Sequence, residues 1–232
     1  MASRKDKQAS DEIIDVVEVK GSNIINEPNF FDKNQKLLSY LIIGIGILAA
    51  LYFAYKYLYI APREKEAVNA MYKAEQQFAK DSFALALENP GGGYDGFLAI
   101  IDNYSGTKTA NLAKYYAGIS YLNMGSYQEA VDYLNGYGAH DAVTKVTKDG
   151  ALGDAYAGLG DMDKAMSYYQ KAASASENDF LTPHYKGKLA MYYYSQNKIE
   201  DAVKLWTEIL NDYPETNEGL EAEKLLARFG KD

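Results

Sequence analysis

The longest apolar stretch of the chain, LLSYLIIGIGILAALYFAY, runs from Leu37 to Tyr55 without a charge, bounded by Lys36 and Lys56. A helix of that length measures roughly 28 Å at about 1.5 Å per residue, close to the hydrocarbon thickness of a bilayer. Ten of these residues are Leu, Ile or Phe, each favouring the centre of a spanning helix by roughly 0.3–0.6 kcal/mol. Tyr52, Phe53, Tyr55, Tyr57 and Tyr59 gather at one end, and Phe30, Phe31 and Tyr40 near the other, as aromatics do at membrane–water interfaces. The pattern therefore predicts a transmembrane helix over 37–60 and a disordered tail over 1–36. A cleaved signal peptide fits poorly. The leader is too long and too acidic, the core is too long, and Tyr59-Ile60-Ala61 puts a bulky residue where cleavage needs a small one.

Beyond Pro62, which can open a helix at its first turn, the apolar spacing is helical almost throughout. Polar breaks fall at Asn89–Gly93, near Gly125, around Gly136–Gly138, at Gly160-Asp161 and near Asn197. Three segments then align: Ala117-Gly118-x-x-Tyr121 with Ala130, Leu152-Gly153-x-x-Tyr156 with Ala165, and Leu189-Ala190-x-x-Tyr193 with Ala202 and a closing Pro214. The small residues Gly118, Gly153 and Ala190 step by 35 and 37 residues, as do the alanines. Small residues on both members of a helix pair let the helices approach, and bulky ones fill the gaps between pairs. A unit of about 34 residues with this signature resembles the tetratricopeptide (TPR) pattern. Single pairs cannot bury their apolar faces, so several must stack and the ends must be capped.

The fold expected is all-α: one N-terminal transmembrane helix, then a right-handed TPR solenoid of about four helix pairs over 61–214, then a capping helix over 215–232. A divergent first pair is expected over 64–104, starting with one long helix through Glu66–Glu88 and followed by a segment with Tyr94, Phe97, Ile101 and Tyr104. The cap should turn Leu220, Leu225, Leu226 and Phe229 inward. The usual Trp of the repeat is replaced by Lys114, Asp149 and Lys186.

Most of the repeat positions specify packing, so a function must sit on a free surface, chiefly the concave side lined by the first helix of each pair. The TPR positions that face this side fall on Leu112, Tyr115, Ile119, Leu122 and Asn123; on Thr147, Gly150, Asp154, Ala157 and Gly158; and on His184, Gly187, Met191, Tyr194 and Ser195. The candidate groove is therefore Tyr115, Ile119, Leu122, Asn123, Asp154, Ala157, His184, Met191 and Tyr194. It is apolar and aromatic. Tyr115 and Ile119 occupy positions where a clamp for acidic chaperone C-termini needs Lys and Asn, so an apolar or unfolded segment suits it better. Along the anchor, Gly46, Ala50 and Ala54 form a small-residue stripe against which another membrane helix could dock. In the tail, Ile13–Val19 is β-prone and could add a strand to a partner's sheet edge.

Charge and composition narrow the functions further. The chain carries a net charge of −8, the tail contributing −1, Lys56 +1, and the region beyond the anchor −8. An acidic domain repels phosphate backbones, so nucleic-acid binding is not expected. There are no cysteines and two separated histidines, which leaves no disulfide framework, thiol chemistry or evident metal site. Gly91–Gly96 lacks the preceding strand of a phosphate loop, Ser105–Thr109 lacks the early glycine of a P-loop, and Asp161–Asp163 departs at once from a calcium loop. Neither an enzyme, nor a cofactor, nor a small-molecule substrate is expected. Lys33 and Lys36 lie before the span and Lys56, Arg63 and Lys65 after it. That count leans towards a cytoplasmic C-terminal domain, but large domains cross with little regard to such charges. Charge alone leaves sidedness open.

With its tail, single span, TPR units ending in Asn211–Pro214 and acidic cap, the chain resembles the YfgM-like family. The segment Tyr104–Ala113 is similar to the junction in such proteins from Bacteroidota-type bacteria. The resemblance implies a single-pass bacterial inner-membrane protein with a cytoplasmic tail over 1–36 and a periplasmic TPR domain. Its implied partners are Sec translocon subunits, periplasmic chaperones or unfolded client segments, and it implies no catalytic residues. The C-terminal units are also similar to the outer-membrane assembly TPR lipoprotein, which needs a lipobox cysteine absent here. The function expected is a membrane-tethered adaptor that helps handle exported proteins. The alternative is a fixed structural subunit of a membrane complex, with a cytoplasm-facing domain as the topological alternative.

Overall fold

The computed structural model describes residues 34–174 and 178–230. The expectations for the tail, including Ile13–Val19 and the pair Phe30 and Phe31, lie outside the described residues. The chain divides into two compact units, Met1–Tyr55 and Lys56–Asp232.

In the first unit, α1 spans Gln35–Ala54 and buries no side chain. It is apolar on every side, the composition of a helix surrounded by lipid or core. An 18-residue window within the helical stretch it opens has a mean hydropathy of 2.3. By length and composition it can cross a membrane. A six-residue π-helical segment, Tyr55–Ile60, follows, and Pro62 sits in the first turn of the next helix. Proline has no N–H and crowds the carbonyl four residues back, and wider local winding is a common accommodation of such a defect.

Among its described residues the second unit is built of helices joined by turns and short loops, with α2 (Ala61–Phe78), α3 (Phe83–Glu88), α4 (Phe97–Asn103), α5 (Lys108–Asn123), α6 (Tyr127–Gly136), α7 (Ala142–Gly158), α8 (Met162–Ser174), α9 (Leu181–Ser195), α10 (Ile199–Asp212) and α11 (Asn217–Arg228). From α4 on, each helix packs on its sequence neighbours, and the first helices of successive pairs, α5, α7 and α9, also touch. The pairs α5/α6, α7/α8 and α9/α10 are the three aligned repeats, and α11 closes the stack.

The repeat spacing works as the sequence implied. A Cβ added to Gly118 would lie 2.6 Å from Leu134 Cγ, and one on Gly153 would lie 2.6 Å from the Tyr169 ring. In the third pair Ala190 and Trp206 share one core cluster. The turn between the helices of each pair places Gly125, Gly160 and Asn197 at φ of 78°, 77° and 58°. Glycine adopts this left-handed conformation freely, and asparagine is the next most tolerant residue. On another side of the stack, Tyr121 stacks on Tyr133 and Tyr156 on Tyr168, both at 5.4 Å between ring centroids.

Two sequence expectations need correction. The long helix expected through Glu66–Glu88 breaks at Ala79–Ser82, where Asp81 takes φ 56°. The turn folds α3 back, so that Ala86 and Leu87 join Met71 and Ala74 in one buried cluster. A straight helix would have carried them away from it. In the cap, Leu226 is buried and Leu225 and Phe229 pack against the core, but Leu220 is 49% exposed. Ala222 takes the inward place instead.

The start of the TPR stack is tied to α2. The Glu64 carboxylate accepts the backbone N–H of Lys108 at 2.6 Å and of Thr109 at 3.2 Å, and the Thr109 hydroxyl at 2.8 Å. Negative charge at a helix N-terminus satisfies amides that no helical carbonyl reaches. Arg63 donates to the Asn103 carbonyl at the end of α4. The Glu64 bonds fix the divergent first pair against α5, and the Arg63 bond ties α2 to α4 within it.

Candidate functional site

The first helices of the pairs bring some of the candidate groove residues together and separate others. Asp154 and Ala157 of α7 and His184 and Met191 of α9 line one open cavity of about 450 Å³. Its remaining wall comes from Gly187, Lys188 and Tyr192 of α9, Tyr169 of α8, Trp206 and Ile209 of α10, and Glu218, Glu221, Ala222 and Leu225 of α11. Tyr115, Ile119 and Leu122 lie apart from it, half-buried against the cluster of Leu134, Leu152 and their neighbours. Asn123 is exposed and donates to the Ile119 carbonyl at 2.8 Å. Tyr194 is 44% exposed, with its ring held 5.9 Å from those of both Trp206 and Phe229.

Two further concave-side positions are covered. A Cβ on Gly150 would lie 2.0 Å from the Tyr185 ring, and one on Gly158 would lie 2.5 Å from the Tyr127 ring. The groove is thus not continuous along the stack. Tyrosines from adjacent helices fill its middle, and the open part lies at the C-terminal end.

The cavity has an apolar body and a polar frame. The Lys188 ammonium donates to both oxygens of Asp154, at 2.6 and 2.7 Å, and the Tyr169 hydroxyl donates to one of them at 2.7 Å. This trio binds α7, α8 and α9 to one another. His184 Nδ1 lies 3.3 Å from a Glu218 oxygen and joins α9 to the cap. Gly187 leaves the wall of α9 open, for a Cβ there would have only Glu218 Cγ near it, at 3.9 Å.

Burial, and then the hydrogen bond to Asp154, push the Tyr169 phenol far above its usual range. Burial, followed by the charge of Asp154, raises Tyr185 to about 12. A group whose folded pKa is raised stabilises the fold fully below its unfolded pKa, about 10 for tyrosine, and loses that contribution as pH rises through the folded value. Stability is therefore expected to fall between about pH 10 and 12, with a shallower fall in Tyr185→Phe. Equal slopes in urea titrations of the two proteins across this range would contradict it.

A second hollow, of about 1090 Å³, lies where the stack begins, lined by Asp102, Thr107, Lys108, Asn111, Lys114, Tyr137 and His140 among others. One polar side chain of its lining is already engaged. Asn111 accepts the Gly138 N–H at 2.8 Å and donates to the Gly138 carbonyl at 2.9 Å. Among the described residues, no three His, Cys, Asp or Glu side chains are placed to hold a metal ion.

Gly46, Ala50 and Ala54, the candidate membrane-helix interface, are all exposed on α1, and nothing lies within 4 Å of a Cβ built on Gly46. Sequence reasoning did not find Tyr169, Lys188, Trp206, Glu218 or Glu221 as cavity residues. Those on second helices and on the cap were read only for packing. The Asp154–Lys188 pair spans two repeats, and pattern alignment treats each repeat by itself.

Comparison with known proteins agrees with this architecture. Residues 112–139, 151–175 and 188–216 match the tetratricopeptide repeat family. Two crystal structures share the fold: a Podosopora anserina protein described as a kinesin light chain with nearly identical TPR-like repeats, and a variant of it. Each gives a TM-score of 0.55 at 14% identity, covering 71% of this chain and 85% of the other. No curated protein matches the chain. Three segments of the chain thus match TPR repeats, within a helical stack of TPR-like fold.

Proposed function

We propose that this protein is a non-enzymatic, membrane-tethered adaptor, anchored by a span over 37–60 in a bacterial inner membrane. Its TPR domain over 61–214 and cap over 215–232 face the periplasm. There it holds translocon subunits, periplasmic chaperones or unfolded segments of exported proteins. The observation that carries this reading is the C-terminal cavity, where Asp154, Ala157, His184 and Met191 surround an apolar space of about 450 Å³. Clefts of this size accept one or two large side chains of a bound segment. The tether raises the local concentration of the domain near the membrane, so even modest affinity holds a partner there.

Affinity purification of the full-length protein from detergent-solubilised membranes tests the reading. Met191 is 47% exposed, so Met191→Arg should leave the fold intact while reducing co-purifying envelope proteins several-fold. Undiminished capture by the variant would count against the cavity as the binding surface. Because the chain has no cysteine, a cysteine introduced as Lys231→Cys reports sidedness cleanly. Labelling of intact spheroplasts by an impermeant maleimide is expected, and labelling only after lysis would reverse the topology.

The exposed stripe of Gly46, Ala50 and Ala54 favours a second reading, a fixed subunit of a membrane complex. That reading expects a stoichiometric assembly in detergent that Gly46→Leu and Ala50→Leu dissolve.

A further inference from the structure

Resting on the cavity reading above, we infer that the segment it takes is cationic as well as apolar: bulky side chains enter the cavity, and flanking lysines or arginines reach Glu218 and Glu221. The charges of the wall are unequal. Asp154, Glu218 and Glu221 supply three carboxylates, against the single ammonium of Lys188 and a histidine. Lys188 is committed to both oxygens of Asp154. An incoming carboxylate would have to displace that chelated pair, whereas an incoming ammonium or guanidinium meets Glu218 and Glu221, for which no ion pair with a lysine or arginine is found among the described residues. Among the described residues Glu218 is opposed only by His184, at 3.3 Å, and Glu221 is exposed. Lys224 and Arg228 of the cap line a separate hollow, which Glu221 and Leu225 also border.

The apolar requirement comes from Ala157, Met191, Trp206 and Leu225. Methionine adapts to differently shaped side chains, which suits partners of varied sequence. The acidity of the region beyond the anchor, −8 in all, attracts a cationic chain at a distance and raises its association rate at low salt.

Three synthetic twelve-residue probes test the inference on the full-length protein in maltoside micelles: one of Leu, Phe and Lys, one with Glu for every Lys, and one with Ser for every Leu and Phe. Fluorescein anisotropy reports binding. Trp206, the sole tryptophan, reports from within the cavity. The Leu/Phe/Lys probe is expected to bind at least tenfold more tightly than either other probe, and to weaken as salt rises. Gly187→Leu, which adds a side chain to the open wall and favours helix, should abolish saturable binding by all probes. Glu218→Lys with Glu221→Lys should transfer the preference to the Glu probe.

Equal affinity for the Lys and Glu probes, blocked in both cases by Gly187→Leu, would overturn the charge preference while leaving the cavity as a binding surface. Binding indifferent to Gly187→Leu would place the probes elsewhere, in the micelle or on other faces, and overturn the inference outright. The adaptor reading falls separately, through unchanged capture of native partners by Met191→Arg.

Discussion

Replacing Trp206 with alanine will destabilise the protein by about 3–5 kcal/mol, the range for removing a large aromatic from a packed core. Trp206 is 2% exposed and shares its cluster with Ala190 of α9, Ala202 and Ile209 of α10, and Ala222 and Leu226 of α11. Its ring stacks on Phe229 at 5.9 Å. The loss should also be uneven. In a solenoid each unit is stabilised mainly by its neighbours, so α9–α11 should lose protection from hydrogen exchange well before α5 and α6. Cavity binding should fail with it, because the cap supplies part of the wall. Uniform loss of protection along the stack in exchange mass spectrometry would refute this local picture.

The second large effect is expected at Gly150. Alanine is normally the better helix former, by about 1 kcal/mol. Here the new methyl would stand 2.0 Å from Tyr185 Cε1 and 2.1 Å from Cζ. Tyr185 is itself buried, at 7% exposure, and has little room to withdraw. Overpacking of this kind typically costs about 1–3 kcal/mol, which offsets the helical gain and leaves Gly150→Ala destabilised. The contact is tested by a double-mutant cycle. In a Tyr185→Ala background the same Gly150→Ala change should become neutral or stabilising, because only its helix-forming advantage remains. Additive effects in thermal melts would show that the two residues do not meet as described.

Both effects arise from glycines or large aromatics whose partners lie one repeat or one helix away, and that sets how far the sequence could be read. The pairing of helices was legible because its requirement is local and periodic. A small residue must recur where the helices of a pair cross, and Gly118, Gly153 and Ala190 recur at the repeat length. The left-handed turns were marked by Gly125, Gly160 and Asn197 for a similar reason. The break at Ala79–Ser82 was not legible. Its residues are compatible with a continuous helix, and the turn is favoured only by the core it completes.

The candidate site divides along the same line. Alignment of positions placed Asp154, Ala157, His184 and Met191 on the concave side, and these four line one cavity. It also placed Gly150 and Gly158 there, without showing that Tyr185 and Tyr127 cover them. Position within a repeat tells which way a side chain leaves its own helix, but not what arrives from the next.

By itself, the sequence determined that an apolar, uncharged helix of about membrane length precedes a stack of helix pairs, for both properties depend on spacing along one strand of chain. Only the tertiary structure decided where the stack stays open. An opening exists where neighbouring helices fail to fill the space between them, and that depends on side chains 30 or more residues apart, such as Asp154 with Lys188 and His184 with Glu218.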